Sequence, residues 1–348
     1  MATPTGPSVL DKKVGLKKGE TWGTAVALGA SDQLLCKKLS GLKASRKYSP
    51  SDHAGATFRP AGVMTDYNPP DISIGGDLSY ELGAIGRHLA LLFGTAGTPT
   101  KQGATTAYKH EIKWADFGAG FYTLAAEFPG VIYEAPSVMP LGLALKVEDG
   151  RIAYEAKGRG DNCKDDSSIN GAVQMAALTP ALDVPVTFNQ LKVYMNGRDV
   201  ATDVLTTTPL DVSGIEPVFN RSYDSQYVAG SPTIVLPAAA DYPDVSLKLN
   251  FPRFAAVNAA YLAAHIAGTP QKVALQLTSP LEAGLGFYYS ITIFYPSMII
   301  QNPDPSREKI IKHSIELVAE RAQANPTGMS STLPYVEIVN KQSTDYLA

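Results

Sequence analysis

The sequence predicts a mainly β chain made of two tandem β-sandwich or half-barrel modules, each with one flanking α-helix. Three observations carry this. Landmarks of the first half recur in the same order in the second. Regular patterning is dominated by an apolar/polar alternation of period two. Thirty glycines and 25 prolines among 348 residues suit many turns and few long helices.

The repeat comes first, because self-similarity constrains a fold before any local pattern does. Leu39-Ser40-Gly41-Leu42 returns as Val212-Ser213-Gly214-Ile215, and Arg46-Lys47-Tyr48 as Arg221-Ser222-Tyr223. Offsets drift slowly, from 173 (Gly41 to Gly214) through 166 (Phe121 to Phe287) to 160 (Pro136 to Pro296). Two copies of one fold drift in this way after loop trimming. Each Arg-x-Tyr step opens a polar, Pro/Gly-marked stretch of roughly 20 residues, longer than an ordinary connection. Both stretches end in a short alternating strand, Leu78-Ser79-Tyr80 in copy one and Val245-Ser246-Leu247-Lys248-Leu249 in copy two.

A helix follows each strand. Leu82, Ile85, Leu89 and Phe93 superpose on Phe254, Val257, Tyr261 and His265 at a constant offset of 172. Spacings of three and four put these side chains on one stripe. Gly94-Thr95 and Gly268-Thr269 then stop the helices, as glycine past a C-terminus does. Beyond them, Tyr108-Lys109-His110-Glu111-Ile112 is set opposite Gln271-Lys272-Val273-Ala274-Leu275, and Phe121-Tyr122-Thr123-Leu124 opposite Phe287-Tyr288-Tyr289-Ser290.

Copy one closes on a hairpin. Leu143, Leu145 and Val147 alternate with Ala144, Lys146 and Glu148 before Asp149-Gly150, and Ile152, Tyr154 and Ala156 alternate after it. Asp-Gly between two alternating runs is a strong short-range hairpin signal. In copy two the loop grows to include Asn302-Pro303-Asp304-Pro305, with a return strand over 311–319. The expected organisation is an N-terminal arm (1–35), a first module (36–160), an intervening segment (161–210), a second module (211–325) and a C-terminal strand and tail (326–348). Leu191-Lys192-Val193-Tyr194-Met195 before Asn196-Gly197 suggests a hairpin in the intervening segment, which can link the modules, decorate the exterior or add a strand to either sheet.

Composition narrows the function classes. A formal charge of −3 argues against gripping nucleic acid through its phosphates. Residues 1–16 lack the apolar core of a signal peptide, and no run approaches the ~20 apolar residues of a membrane span. Cys36 and Cys163 stand far apart, which favours free thiols over a disulfide or zinc site.

The search for catalysis is negative. His53, His88, His110, His265 and His313 show no metal-ligand spacing, and Gly284-Leu285-Gly286 lacks the third glycine of a dinucleotide fingerprint. Arg159-Gly160-Asp161 reads as a turn rather than an adhesion tripeptide. Asp161, Asp165 and Asp166 lack a calcium loop's ladder of oxygens. Without a nucleophile beside a base, no enzymatic function, cofactor or metal is expected.

The ordered pattern resembles the tail tube (major tail) proteins of long-tailed bacteriophages. It is carried by Gly19-Glu20-Thr21-Trp22-Gly23-Thr24-Ala25-Val26, the Gly-Gly-Asp-Leu-Ser-Tyr strand entering a short helix, Ala107-Tyr108-Lys109-His110, Phe121-Tyr122-Thr123-Leu124, the Asp149-Gly150 hairpin and Pro334-Tyr335-Val336-Glu337-Ile338-Val339-Asn340. The resemblance implies tail-tube-like β-sandwich modules whose inner sheets join between neighbours around a channel, in rings that stack into a tube. Two-module members are expected to form trimeric rings of pseudo-sixfold symmetry; the alternative is a hexameric ring. A tape measure protein and tail terminator and tip proteins are the implied partners, DNA passes without specific binding, no membrane is involved, and the protein resides in the virion tail after assembly in the host cytoplasm.

Physics supports closure, because an open sheet edge is an aggregation hazard that a ring removes. Six modules of about four strands at ~4.8 Å spacing and ~40° tilt make a barrel roughly 48 Å across, about 38 Å clear of side chains. A carboxylate-lined lumen would repel phosphates, so Glu111, Glu127, Glu148 and Glu155 are candidate liners, with plain solvent exposure as the alternative. For ring stacking, the long loops 45–71 and 221–244 and the arm around Trp22 are candidates. Arg46, Tyr48, Arg221 and Tyr223 serve as anchors or else pack within their own domain. A carbohydrate-binding or adhesive β-sandwich remains the alternative function, since 17 tyrosines could stack on sugars, although they form no tight cluster in sequence.

Overall fold

A computed structural model of the chain describes residues 13–43, 45–50, 62–165, 167–253, 259–302 and 313–348. It is mainly β, with extended antiparallel sheets. The first half runs β1 (Val14–Lys18), β2 (Lys38–Ser40), β3 (Arg46–Ser49), β4 (Val63–Tyr67), β5 (Asp71–Asp77), helix α1 (Ala84–Phe93), β6 (Thr100–Lys101), β7 (Tyr108–Lys113), β8 (Tyr122–Phe128), β9 (Val131–Glu148) and β10 (Arg151–Gly160). The second runs α2 (Ala172–Ala177), β11 (Leu191–Gly197), β12 (Gly214–Asn220), β13 (Tyr223–Asp224), β14 (Ala238–Ala239), β15 (Asp244–Phe251), α3 (Ala259–Ile266), β16 (Gln271–Gly284), β17 (Phe287–Asn302), β18 (His313–Ala319) and β19 (Tyr335–Asn340).

Local chemistry explains the regular pieces. The β9–β10 turn places Asp149 at φ 48° and Gly150 at φ 75°, both in the positive region that an Asn-Gly or Asp-Gly hairpin turn requires. Helix α1 ends at Gly94, φ 98°, whose N–H bonds Ala90 O at 2.8 Å. Its stripe and most of its remaining side chains are buried, so it is a core helix rather than a surface one. In the second helix Tyr261 and His265 lie on α3, while Phe254 and Val257 fall outside the described residues.

Strand pairing repeats. In the first half the order is β1-β8-β9-β10-β5-β2. In the second it is β11-β16-β17-β18-β15-β12. Each long loop also folds into its own two-stranded hairpin, β3–β4 and β13–β14. The Pro136-Ser137 and Pro296-Ser297 match holds in detail: Asp161 N bonds Ser137 O at 2.9 Å, and Glu320 N bonds Ser297 O at 3.0 Å.

The register corrects two expected correspondences. The partner of Phe121-Tyr122 in the other half is the start of β16, since β8 and β16 occupy the same place in the pairing order. β7 therefore has no sequential counterpart. Alternation marks a strand's faces but not which strand of a hairpin it is, and both strands here begin with aromatic residues.

The segment 161–210 divides between the halves instead of standing apart. β11 pairs with β16 along its whole length, so Asn196-Gly197 closes a strand and no hairpin forms there. Upstream, Met175 of α2 and Leu178 just after it pack with Leu28 and Ala125 of the first half. β1 makes part of the expected arm a sheet strand, and β19 bridges the halves by pairing with β17 and β7.

Two layers result. β9 and β17 are long enough to run through both: their N-terminal parts pair with β8 and β16, their C-terminal parts with β10 and β18. The layer β2-β5-β10-β9-β12-β15-β18-β17 is continuous, because β12 pairs with β9 where Val218, Phe219 and Asn220 face Ala144, Leu143 and Gly142. Gly142 lets the strands approach closely at this joint: a Cβ there would lie 2.4 Å from Asn220 Oδ1 and 3.1 Å from Phe219 O, so the Asn220 side chain would have to move. Its inward face and the second layer enclose one core drawn from both halves, including Tyr122, Tyr154, Phe219, Leu247, Tyr295 and Leu317.

Candidate assembly interface

The continuous eight-strand layer has two open edges. Among the described residues, β2 pairs only with β5, and the C-terminal part of β17 pairs only with β18 on that layer. Their counterparts within the chain, β12 and the C-terminal part of β9, pair with each other. One chain thus carries a joined pair of these edges and one unjoined edge of each type.

The outward face of this layer is polar and charge-balanced. Strand alternation brings up Lys38, Lys146, Arg151, Lys157, Arg159 and Lys248 against Asp71, Asp77, Glu148, Glu155, Glu216, Asp244 and Glu316. Six cations thus meet seven carboxylates, and most lie beside opposite charge. Arg151 bonds Asp77 at 2.8 Å, Arg159 bonds Asp71 at 2.8 Å and Lys146 bonds Glu148 at 2.8 Å, while Lys248 sits between Glu216 and Glu316 in register. The pairs at Asp77 and Glu148 hold both carboxyls below their ordinary range, against the opposing effect of desolvation.

The four expected liners are therefore split. Glu148 and Glu155 lie on this face, where Glu155 accepts from Ser73 Oγ at 3.2 Å. Glu111 is on β7, in the other layer, bound to Lys113 at 3.1 Å and to Ser330 Oγ. Glu127 is on β8 and shares with Glu148 and Glu155 a cleft of about 900 Å³ beside β2. Sheet membership, invisible in a strand's own alternation, sets Glu111 apart from the other three.

The two loop arms leave the layer at the same end, after the parallel-running β2 and β12. On the second arm, Arg221 is buried. Its guanidinium donates to Leu92 O at 2.5 Å, Phe93 O at 3.2 Å, Ala115 O at 2.6 Å and Asp116 O at 3.1 Å, and lies 4.3 Å from the centre of the Trp114 ring. The carbonyl end of α1 carries partial negative charge, which a cation offsets. Arg221 is thus occupied inside the chain, joining the second arm to the first half. Tyr223, half-buried, places its hydroxyl at Gly118, and burial pushes its phenol up.

Trp22 is half-buried, donates to Ile234 O at 3.0 Å and meets Phe121 edge-on at 5.1 Å, so it too ties the first half to the second arm. Arg46 and Tyr48, on the first arm, are exposed; Tyr48 Oη accepts from Gly62 N at 3.1 Å. Nothing in the motif distinguishes the two Arg-x-Tyr steps. Only the presence of α1 beside the second does.

Other expectations resolve simply. Asp161 is buried, its Oδ1 accepting from Ser137 N at 3.1 Å, so Arg159-Gly160-Asp161 presents no adhesive carboxylate. Burial pushes its carboxyl up to about 6. Cys36 and Cys163 are free, with thiols pushed up to about 11 and about 12 by burial. His88 is buried against Gly142 O at 3.1 Å and lowered by burial to about 4, so it is neutral and its Nε2–H donates. Among the described residues no group of three or more His, Cys, Asp or Glu could hold a metal ion, and no helix is long and apolar enough to cross a membrane.

Sequence reasoning missed Lys272. It is fully buried on β16 and donates to Val200 O and Thr202 O at 2.8 Å and Thr327 O at 3.3 Å, clamping the 198–207 and 326–330 segments together. A lysine in an alternating strand gives no sign of this.

No family model and no curated protein matches the chain. Among solved structures, it is similar to a chain of the anti-feeding prophage baseplate, in a 6-fold symmetrised cryo-EM structure, with 11% identity over 41% of this chain and 93% of that one and a TM-score of 0.28. A likeness at that score does not define a function.

Proposed function

We propose that the chain is a structural subunit that polymerises head to tail through β2 and the C-terminal part of β17, closing rings that stack into a phage tail tube for DNA delivery. The observation that carries this reading is the edge arithmetic: a β9–β12 joint inside the chain, and one unjoined edge of each kind at its ends. Two different complementary edges on one chain make a heterologous contact, which closes into a ring where the rotation permits. Closure also removes both exposed edges.

Ring size follows from strand count. Eight strands per chain give 24 for three chains, and a barrel roughly 48 Å across at ~4.8 Å spacing and ~40° tilt. Six chains would give 48 strands and roughly 96 Å, far wider than a duplex needs. A trimer of pseudo-sixfold symmetry is therefore favoured over a hexamer. With the ion-paired face turned inward, few cations are left to hold phosphates, so DNA slides by neutrality of the wall rather than by repulsion from a purely acidic one.

The virion tail as location, host-cytoplasm assembly and tape measure, terminator and tip proteins as partners belong to this same reading, and no catalytic role is assigned. Negative-stain electron microscopy of the purified protein tests it. Rings or tubes with three chains per ring are expected; a population of closed monomers at every concentration up to the solubility limit refutes it.

A further inference from the structure

We infer that Arg46 and Tyr48 on the β3–β4 arm dock on the carbonyl end of helix α3 in a neighbouring copy of this chain, repeating between copies the joint that Arg221 and Tyr223 make with α1 inside the chain. The inference rests on the ring-closing reading above and names the second contact that accompanies sheet pairing.

The internal joint supplies the template. Immediately after β12 pairs with β9, Arg221 N bonds Leu141 O at 2.8 Å and its side chain enters the end of α1, while Tyr223 Oη reaches Gly118, which also abuts Leu91 O. β2 stands where β12 stands in the pairing order and leads into the same kind of two-stranded arm, but the Arg-x-Tyr step that directly follows β12 is carried farther out in the first arm, where Arg46 opens β3 and pairs with Tyr67. If β2 pairs with β17 of another copy as β12 pairs with β9, the first arm is delivered to that copy's α3.

The end of α3 is prepared for such a donor. α3 follows β15 as α1 follows β5, and the chain leaves it at Gly268, φ 61°, as it leaves α1 at Gly94. Pro270 has no N–H to offer Ile266 O, and among the described residues no donor reaches the carbonyls of Ile266 or Ala267. On α1, Leu92 O and Phe93 O take Arg221, whereas the residues superposed on them, Ala264 and His265, already accept from Thr269 N at 2.9 Å and Gly268 N at 3.0 Å, which leaves the last two carbonyls of α3 as the acceptors for a donor from outside. Coverage differs in the same sense. α1 is buried on nearly every side, whereas α3 exposes Leu262 at 46% and Ile266 at 77%. Among the described residues Trp114 has no counterpart beside α3, so the second joint uses the carbonyls without a ring beneath the cation.

The test uses full-length chains bearing Tyr48→Cys and Ile266→Cys, both at exposed positions, assembled and treated with a short bis-maleimide. Covalent dimers and trimers on a denaturing gel are expected from the double variant and from mixed single variants, and not from either single variant alone. Rings seen by microscopy without interchain linkage, or linkage confined to single chains, overturn the inference and leave the ring reading intact. Wild-type protein that forms no rings overturns both. Independently, Arg46→Glu should lower ring yield by about tenfold; ring yield equal to wild type also overturns the inference.

Discussion

Replacing Arg221 with alanine removes four hydrogen bonds to backbone carbonyls and the cation over Trp114 in one step. Charge-assisted bonds contribute about 1.5–3 kcal/mol each, but burying the guanidinium costs desolvation, which holds its pKa down. The net loss should be about 3–5 kcal/mol, because Leu92 O is left buried without its donor. Arg221→Lys keeps a charge without the planar fork and should lose about half as much. Urea unfolding followed by fluorescence is a direct assay, since the chain's two tryptophans both lie at this joint: Trp114 beneath the guanidinium and Trp22 bonded to Ile234 O. The alanine variant should unfold at lower urea and in two steps, because Arg221 couples the halves. A single transition within about 1 kcal/mol of wild type would refute the joint's role.

The same physics gives expectations at other sites. Lys272→Met retains volume but strands three carbonyls, and should lower stability by about 2–4 kcal/mol in thermal or chemical melts; an unchanged midpoint would show that the clamp contributes nothing. Asp161 has a folded pKa raised to about 6 by burial, so its neutral form stabilises the fold fully below about pH 3.8, and that contribution is lost as pH rises through about 6. Asp161→Asn should therefore be more stable than wild type by up to about 3 kcal/mol at pH 8, with the gap closing below pH 4; a gap independent of pH contradicts the sign. Assembled protein should fail to retain duplex DNA at ~0.15 M salt, and a steep salt-dependent affinity would show unpaired cations on the layer's outer face.

Much of the architecture is local and therefore legible. The hairpin at Asp149-Gly150 follows from turn chemistry between two alternating runs, and the stop of α1 at Gly94 from its positive φ. The repeated order of landmarks is legible too, because Pro136-Ser137 and Pro296-Ser297 make matching bonds with Asp161 and Glu320. What the local pattern withholds is partnership. Phe121 and Phe287 begin neighbouring strands of the repeated hairpin rather than equivalent ones, since period two encodes a face and not a neighbour. Glu127, Glu148 and Glu155 line one cleft while Glu111 lies elsewhere, for the same reason.

The two Arg-x-Tyr steps make the division plain. The residues alone establish that both exist, that each follows a Ser-Gly pair and that each opens a long arm. Folding in three dimensions is what buries Arg221 on the end of α1 while Arg46 stays exposed. A guanidinium gives up water only where preorganised carbonyls replace it, and those carbonyls are brought to Arg221 by a helix more than a hundred residues away in the chain.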